Sequence, residues 1–578
     1  MKSNLKEGLT LGFLFALIVT GIELIRFLSL PPQVNSLETL YDGIIIFSYL
    51  FFISFTIFGL LGIISSLFLK KLTLKKRILI ISLIYTLIFY FFNGEWINKV
   101  ILPGFYEFQS ILVNIIIILS FVPFTILLFY ALYGGLKKIK PKLILIFIVL
   151  ISISLITSIN LNKEDVNVKE IDNIDYPKIQ TNNKIILIGL DGADWKVINP
   201  LIEQNKLPNI KSLMNTGSYG ELKYEIGDRE VQNSPPLWTT ILTGQKISDH
   251  GLTDFFFVSY PKTNLIRQKM VEFTGWFNFL QNKLLETNLV KRFPLSNNLR
   301  KTKAIWNILT ENNIESGFIG FWGTYPVDEV KGFMISDKLY PIDGLNYNNP
   351  TYPLNLNISS ETPNLTQEIK NLQLDETLKL RMRFFEKDKL FYNIGQELIS
   401  KDLDLFAIYL EGIDVASHIH GTYQDINGIP APYEINEVTS EEWNKKSWNE
   451  VKKYANSVNL YYEYMDEIIG EIKKQTPDNT MIIVSDHGFD FSEGCWHHSK
   501  THPGCKETPS AIVIINGKDI NENLNLTTSS LTDITPTILY LLGLPIAEDM
   551  EGDLIKDAIK TTTLNKNPPN YINTYEFN

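Results

Sequence analysis

Cysteine is scarce in this chain of 578 residues, where only Cys495 and Cys505 occur. No disulfide framework can carry the fold, and a cysteine-rich structural zinc site is excluded. A disulfide between these two is expected if their loop lies outside the cytoplasm; free thiols or zinc ligation are the alternatives. Histidine is scarce too, with seven copies. Yet His487, His497, His498 and His502 all fall within Met481–His502, and Cys495 and Cys505 bracket the last three. Filler histidines would not cluster so. Excess positive charge is also missing: the formal net charge of −10 argues against a nucleic-acid polymer as partner. Beyond about residue 160, membrane-length apolar runs are absent. The mean hydropathy of +0.03 therefore averages two unlike parts.

The apolar runs all lie in the first part, at about Gly8–Leu30, Ile44–Leu69, Ile78–Phe92, Ser110–Tyr133 and Leu143–Ile159. A span needs roughly 20 predominantly apolar residues, and the third run is the shortest of the five. Basic residues occupy alternate connections: Lys2 and Lys6, then Lys70 to Arg77, then Lys137 to Lys142. Such asymmetry orients a membrane protein. The expectation is an all-α membrane domain over residues 1–160 with its amino terminus cytoplasmic. Everything after Ile159 would then be extracytoplasmic, tethered to the bilayer through a linker at 161–183.

The remainder reads as a doubly wound α/β domain over residues 184–560. Ile185–Leu190 and Met481–Val484 are short apolar runs rich in β-branched residues, too short for helices. Each ends in acid: Asp191 after the first and Asp486-His487 after the second. Phe406–Leu410 likewise runs into Glu411 and Asp414. Unbroken apolar strands point to a parallel sheet covered on both faces, and functional residues gather at the carboxyl ends of such strands. Lys303–Asn312 and Trp448–Lys474 have the spacing of covering helices. Residues 255–300 and 339–400 fit no such alternation and read as cap insertions; 561–578 reads as a tail.

Three constellations carry chemistry. Asp486-His487 is the first. Asp414 and His418 stand four apart, so one helical turn would put both on one face, within reach of one ion. The run Ser234-Pro-Pro-Leu-Trp-Thr-Thr-Ile-Leu-Thr-Gly244 supplies hydroxyls just before an expected helix start. A hydroxyl needs a base or a metal to become a nucleophile. His250, before a glycine, is read as shaping a loop, and Trp238 as packing.

The segments GLDGAD, SPPLWTTILTG with HGLTDFF, IWNILTENNI with GTYPVDEVKGFMISD, EGIDVASH, SDHGF and LTDITPTILYLLGLPIAEDMEG occur in this order. Together they resemble the type I phosphodiesterase/nucleotide pyrophosphatase family of the alkaline phosphatase superfamily. That resemblance implies an alkaline-phosphatase-like fold and two divalent metal ions, zinc or alternatively manganese. One ion would be held by Asp191, Ser234, Asp486 and His487, the other by Asp414, His418 and His502, with His498 as the substitute for the last. It makes Ser234 the nucleophile, with Thr239 or Thr240 as alternatives, and implies a phosphodiester substrate attacked through a phosphoseryl intermediate. The topology also resembles cell-envelope phosphotransferases that move a phospho-alcohol group from a lipid or nucleotide donor to a glycan or lipid acceptor. A sulfatase is disfavoured because Trp238 stands where its arginine would be. A non-catalytic membrane scaffold is disfavoured because every expected ligand has a candidate.

Overall fold

The structure is a computed structural model that describes residues 178–179, 181–223, 233–259, 266–267, 291–341, 347–358, 379–421, 456–491 and 509–576, with short pieces (9–10, 12–13, 16, 54, 56–65, 67–69, 71–73, 76, 80–81 and 84) nearer the start. Of the five apolar segments, the last two fall wholly outside these residues and the first three are described only in part. Among the described residues no helix is long and apolar enough to cross a membrane. His497, His498, His502, Cys495 and Cys505 also lie outside them.

Two compact units divide the chain, one of Met1–Lys169 with Phe256–Pro294 and one of Glu170–Phe255 with Leu295–Asn578. In the first, β3 (Phe256–Ser259), β4 (Ile266–Arg267) and β5 (Lys291–Pro294) form an antiparallel sheet in the order β4-β3-β5. Phe257 stacks on Phe293 across it, ring centroids 5.3 Å apart. Most of the expected cap insertion at 255–300 is thus grouped with the first 169 residues.

The second unit is built on a nine-stranded sheet. Its strands are β1 (Ile185–Leu190), β2 (Gly217–Lys223), β6 (Ser316–Ile319), β7 (Gly332–Ile335), β8 (Thr351–Tyr352), β9 (Leu405–Leu410), β10 (Thr480–Val484), β11 (Ala511–Asn516) and β12 (Leu524–Ser530). They lie in the order β12-β2-β11-β10-β1-β9-β6-β7-β8. At the centre β1 runs parallel to both β10 and β9, with Ile185 opposite Thr480 and Leu405. All three strands therefore stop at nearly one level, which puts the residues after Leu190, Leu410 and Val484 side by side. Side chains alternate along β1. Ile186, Ile188 and Leu190 enter one core; Ile185 and Leu187 enter another. Helices Trp195–Glu203, Lys379–Leu398 and Ser457–Gln475 cover the first face, and Ser234–Thr243, Ile305–Glu311 and Ile534–Leu541 the second. Each isoleucine or leucine so buried contributes roughly 1.5–3 kcal/mol relative to exposure.

Three expectations need correction. The sheet is mixed: β11, wholly buried and apolar up to its last residue Asn516, runs antiparallel to β10 and β2. Burial on both faces sets a strand's composition whichever way it runs. Residues 339–400 are not all cap. Lys379–Leu398 is a core helix that buries Phe385, Leu390, Phe391, Ile394 and Leu398. Its apolar signature is broken by Lys387 and Asp388, which are buried as well. Nor is 561–578 a loose tail. Thr561–Lys566 is helical, and β14 (Tyr571–Ile572) pairs parallel with β13 (Ile546–Ala547). Buried Tyr575 donates its hydroxyl to the Pro545 carbonyl at 2.6 Å.

Candidate metal centre

Asp191 leaves the end of β1 with its backbone N–H bonded to the Leu410 carbonyl at 3.0 Å. The turn continues through Gly192 at φ +70°, where a Cβ would stand 2.9 Å from the Cβ of Asp414. Only glycine lets the loops after β1 and β9 come so close. Asp414 and His418 ride on helix Gly412–His420, which starts one residue beyond Glu411. Their side chains face each other at 3.4 Å between Asp414 Oδ1 and His418 Nε2. Asp486 and His487 follow β10, and Asp486 Oδ1 accepts the Gly192 N–H at 3.4 Å.

Ser234 is the first residue of helix Ser234–Thr243, followed by two prolines. Proline is at home in a first turn, where its missing N–H would have had no helical partner. The helix start carries partial positive charge, which favours an anionic oxygen there. Ser234 Oγ donates to Asp191 Oδ1 at 3.2 Å and lies 3.4 Å from His487 Nε2. Thr239 and Thr240 lie inside that helix. Thr239 bonds back to the Pro235 carbonyl at 2.8 Å, and Thr240 Oγ1 contacts His250 Nε2 at 3.0 Å. His250 Nδ1 accepts the Leu252 N–H at 3.1 Å, so this ring closes a loop as expected.

His487 sits at the hub. Its Nε2 lies 3.4 Å from Asp191 Oδ1, 3.5 Å from Asp486 Oδ2 and 4.0 Å from Asp414 Oδ1. Its Nδ1 is 3.0 Å from the Gly488 carbonyl, an acceptor, so Nδ1 carries the proton and Nε2 presents a lone pair to the acids. Burial pushes the ring's pKa down to about 4, so it is neutral at pH 7. Asp191, Asp414 and His487 each offer a ligand atom, all within 4.8 Å of one another.

The acids carry the electrostatic argument for a bound cation. Burial pushes the Asp191 carboxyl up to about 6 against four hydrogen bonds that lower it. Asp414 is held well above the usual range by burial, then by Asp191 and Glu411. Asp486 is held likewise by burial, then by Asp191 and Asp414. Among the described residues, the buried atoms Asp414 Oδ1 and Asp486 Oδ2 accept no hydrogen bond. Three carboxylates beside a neutral imidazole cannot all ionise in a dry pocket unless a cation joins them. The donor set, carboxylate and imidazole with a hydroxyl alongside, fits a divalent metal of the zinc or manganese kind.

Glu411, the other strand-end acid, is not in the cluster. It pairs with buried Lys387 at 2.9 Å, while Asp388 accepts the backbone N–H groups of Glu411 and Gly412 at 2.9 and 2.8 Å. Three further side chains support the site; each lies in a segment singled out by sequence, but its role there was not legible. Asp194 caps helix Trp195–Glu203 and also accepts the Phe489 N–H at 2.9 Å, tying the β1 loop to the β10 loop. Trp238 does more than pack: its Nε1 donates to Asp191 Oδ2 at 3.0 Å. The Tyr409 hydroxyl donates to the same oxygen.

The family model described as type I phosphodiesterase / nucleotide pyrophosphatase matches residues 185–503. Among solved structures, murine ectonucleotide pyrophosphatase / phosphodiesterase 5 is 12% identical, with 65% of this chain and 100% of that chain covered and a TM-score of 0.36. The phosphonate monoester hydrolase from Silicibacter pomeroyi is 13% identical over 65% and 76% of the two chains, TM-score 0.36. The lipoteichoic acid synthase from Listeria monocytogenes is 13% identical over 68% and 80%, TM-score 0.35. No curated protein matches. The family assignment rests on the first of these findings.

Proposed function

The chain belongs to the type I phosphodiesterase/nucleotide pyrophosphatase family, and from that premise we propose a membrane-anchored, extracytoplasmic phosphodiesterase working through a phosphoserine at a two-metal site. The observation that carries this reading is Ser234 Oγ, held 3.2 Å from Asp191 Oδ1 and 3.4 Å from His487 Nε2 at a helix start. Asp191, Ser234, Asp486 and His487 would hold one ion; Asp414, His418 and His502 (or His498) would hold the other. Zinc is the first choice and manganese the second. A divalent cation bound there would lower the pKa of a coordinated hydroxyl and neutralise charge on the phosphoryl oxygens.

The protein's own groups account for the rest. Asp191 Oδ1 accepts the serine proton and fixes the direction of Oγ. Ser234 Oγ forms the bond to phosphorus as the bond to the departing oxygen breaks, leaving a phosphoserine and an alkoxide that takes a proton from solvent to leave as the alcohol. Water, or an acceptor alcohol, then takes the phosphoryl group and restores the serine. Hydrolase and transferase differ only in that second oxygen, so the transferase reading stays as the alternative.

Ser234→Ala should lower turnover by about 10³-fold or more while leaving bound metal largely intact, since three ligands of that ion remain. The assay offers nucleotide, glycerophospho- and lipid-linked diesters with zinc or manganese, each with and without an acceptor alcohol. Undiminished turnover in the alanine variant would move the nucleophile elsewhere. Protease added to intact cells checks the orientation, since an outward-facing domain should be released.

A further inference from the structure

Asp191 has two carboxylate oxygens with opposite surroundings. Oδ1 faces Ser234 Oγ at 3.2 Å and His487 Nε2 at 3.4 Å. Oδ2 faces away and is taken up by two donors, Trp238 Nε1 at 3.0 Å and the Tyr409 hydroxyl. The Tyr409 hydroxyl is itself directed. Trp322 Nε1 donates to its oxygen at 2.8 Å, which leaves the phenolic proton for Asp191. Aromatic rings lock the arrangement. Trp238 meets Tyr409 edge-on at 5.0 Å, and Phe321 packs on both, 5.7 Å from each. Trp238, Tyr409 and Phe321 are wholly buried. Gly189, two residues before Asp191, leaves room for the indole: a Cβ there would stand 2.7 Å from the Trp238 ring.

We infer that Tyr409, aimed by Trp322 and seconded by Trp238, is a positioning residue that saturates Asp191 Oδ2 and reserves Oδ1 for the metal and the nucleophile. The assignment rests on the metal-centre reading given above. A carboxylate free to rotate would offer either oxygen, or both, to the cation. That would change the coordination and displace the acceptor of the serine hydroxyl. Partners beyond a ligand commonly set metal affinity in this way.

The test is Tyr409→Phe in the full-length protein, stripped of metal and titrated with zinc against a chromogenic chelator, followed by kinetics at saturating zinc. Zinc affinity should fall about 10–100-fold. kcat should fall as well, with KM within about twofold, because the carboxylate that orients Ser234 Oγ is loosened while no substrate-binding group is removed. Trp322→Phe keeps the tyrosine hydroxyl but removes the N–H that aims it, and should show a smaller loss of the same kind. If Tyr409→Phe does not fold, Trp322→Phe decides by the same readouts. Unchanged zinc affinity and kcat in the variant, beside a wild type that binds zinc, would overturn this assignment alone. A wild type that took up neither zinc nor manganese would overturn the metal centre and this assignment with it.

Discussion

The two sides of the acidic cluster are built differently. Asp191, Asp486 and His487 sit at the ends of central strands, with side chains no more than 1% exposed. Asp414 and His418 ride on a helix, with side chains 13% and 25% exposed. The strand side is dry and its donors are aimed: two N–H or O–H groups on Asp191 Oδ2, a backbone N–H on Asp486, a carbonyl fixing the His487 tautomer. The helix side has solvent at hand. One cluster thus joins a dry, pre-aimed half to a half that solvent reaches; under the proposed mechanism the first would hold the nucleophile and the second would admit the oxygen that leaves or enters.

Asp486→Asn tests the dry side most severely. It removes a buried charge that only a cation can satisfy, so activity should fall about 10³-fold or more. The metal-free protein should meanwhile become more stable at pH 8, by about 1–3 kcal/mol, since an unsatisfied buried charge is gone. Assay and denaturant melts on the same preparation measure both; a metal-free variant less stable than wild type would contradict the electrostatic account.

Next in size is the contrast between the two histidines. His487→Ala should cost more zinc affinity than His418→Ala, because the buried ring is held in one tautomer and the half-exposed ring can be replaced by water. Chelator competition on both variants gives the ranking, and equal losses would erase the distinction between the two sides.

A third, milder effect is the pH dependence of the metal's stabilisation. The folded-state pKa of Asp191 is raised from 3.8 to about 6, and those of Asp414 and Asp486 are raised as well. Without metal, the stability these protonated acids provide is fully present below about pH 4 and is lost as pH rises through their folded values. His487 works in the opposite sense. Its pKa is lowered from 6.5 to about 4, so its contribution is present above 6.5 and lost as pH falls. Metal removes the acids' penalty by favouring their ionised forms, and it holds the ring in the neutral form that burial already favours, so protons compete with it at low pH. The gap between metal-loaded and metal-free melting temperatures should therefore widen from pH 5 to pH 8, as scanning calorimetry would show. A constant gap would mean the acids are not the ligands.

Smallest is Gly192→Ala. At φ +70° it should cost about 1–2 kcal/mol through the backbone alone, and its Cβ would press on Asp414 at 2.9 Å. The melt should shift for that reason. Zinc affinity should shift too if the close approach of the two loops sets the spacing of the dry and wet sides.

Much of this was readable in the chain. Asp486-His487 after Met481–Val484, Asp191 after Ile185–Leu190, and Asp414 with His418 one helical turn apart all follow from local pattern. So does a hydroxyl-bearing run at a helix start, within which the family resemblance picked out Ser234. What could not be read has one cause, the distance between partners in sequence. Tyr409 lies 218 residues from Asp191, and Trp322 lies 87 from Tyr409. Nothing about either residue type or its neighbours says where its donor points. Glu411 shows the converse: a strand-end acid like the others, it is claimed by Lys387 from a helix that local pattern obscured.

By itself the sequence determined which groups were available and which local element would carry each, because strand, turn and helix starts depend on neighbours a few residues apart. Only the tertiary structure decided that β10, β1 and β9 lie adjacent and end level. That adjacency brings three carboxylate- and imidazole-bearing strand ends into one hollow, and it decides which oxygen of Asp191 faces the serine. The physical reason is that both depend on strand order and on hydrogen bonds closed across hundreds of residues, which local pattern does not record.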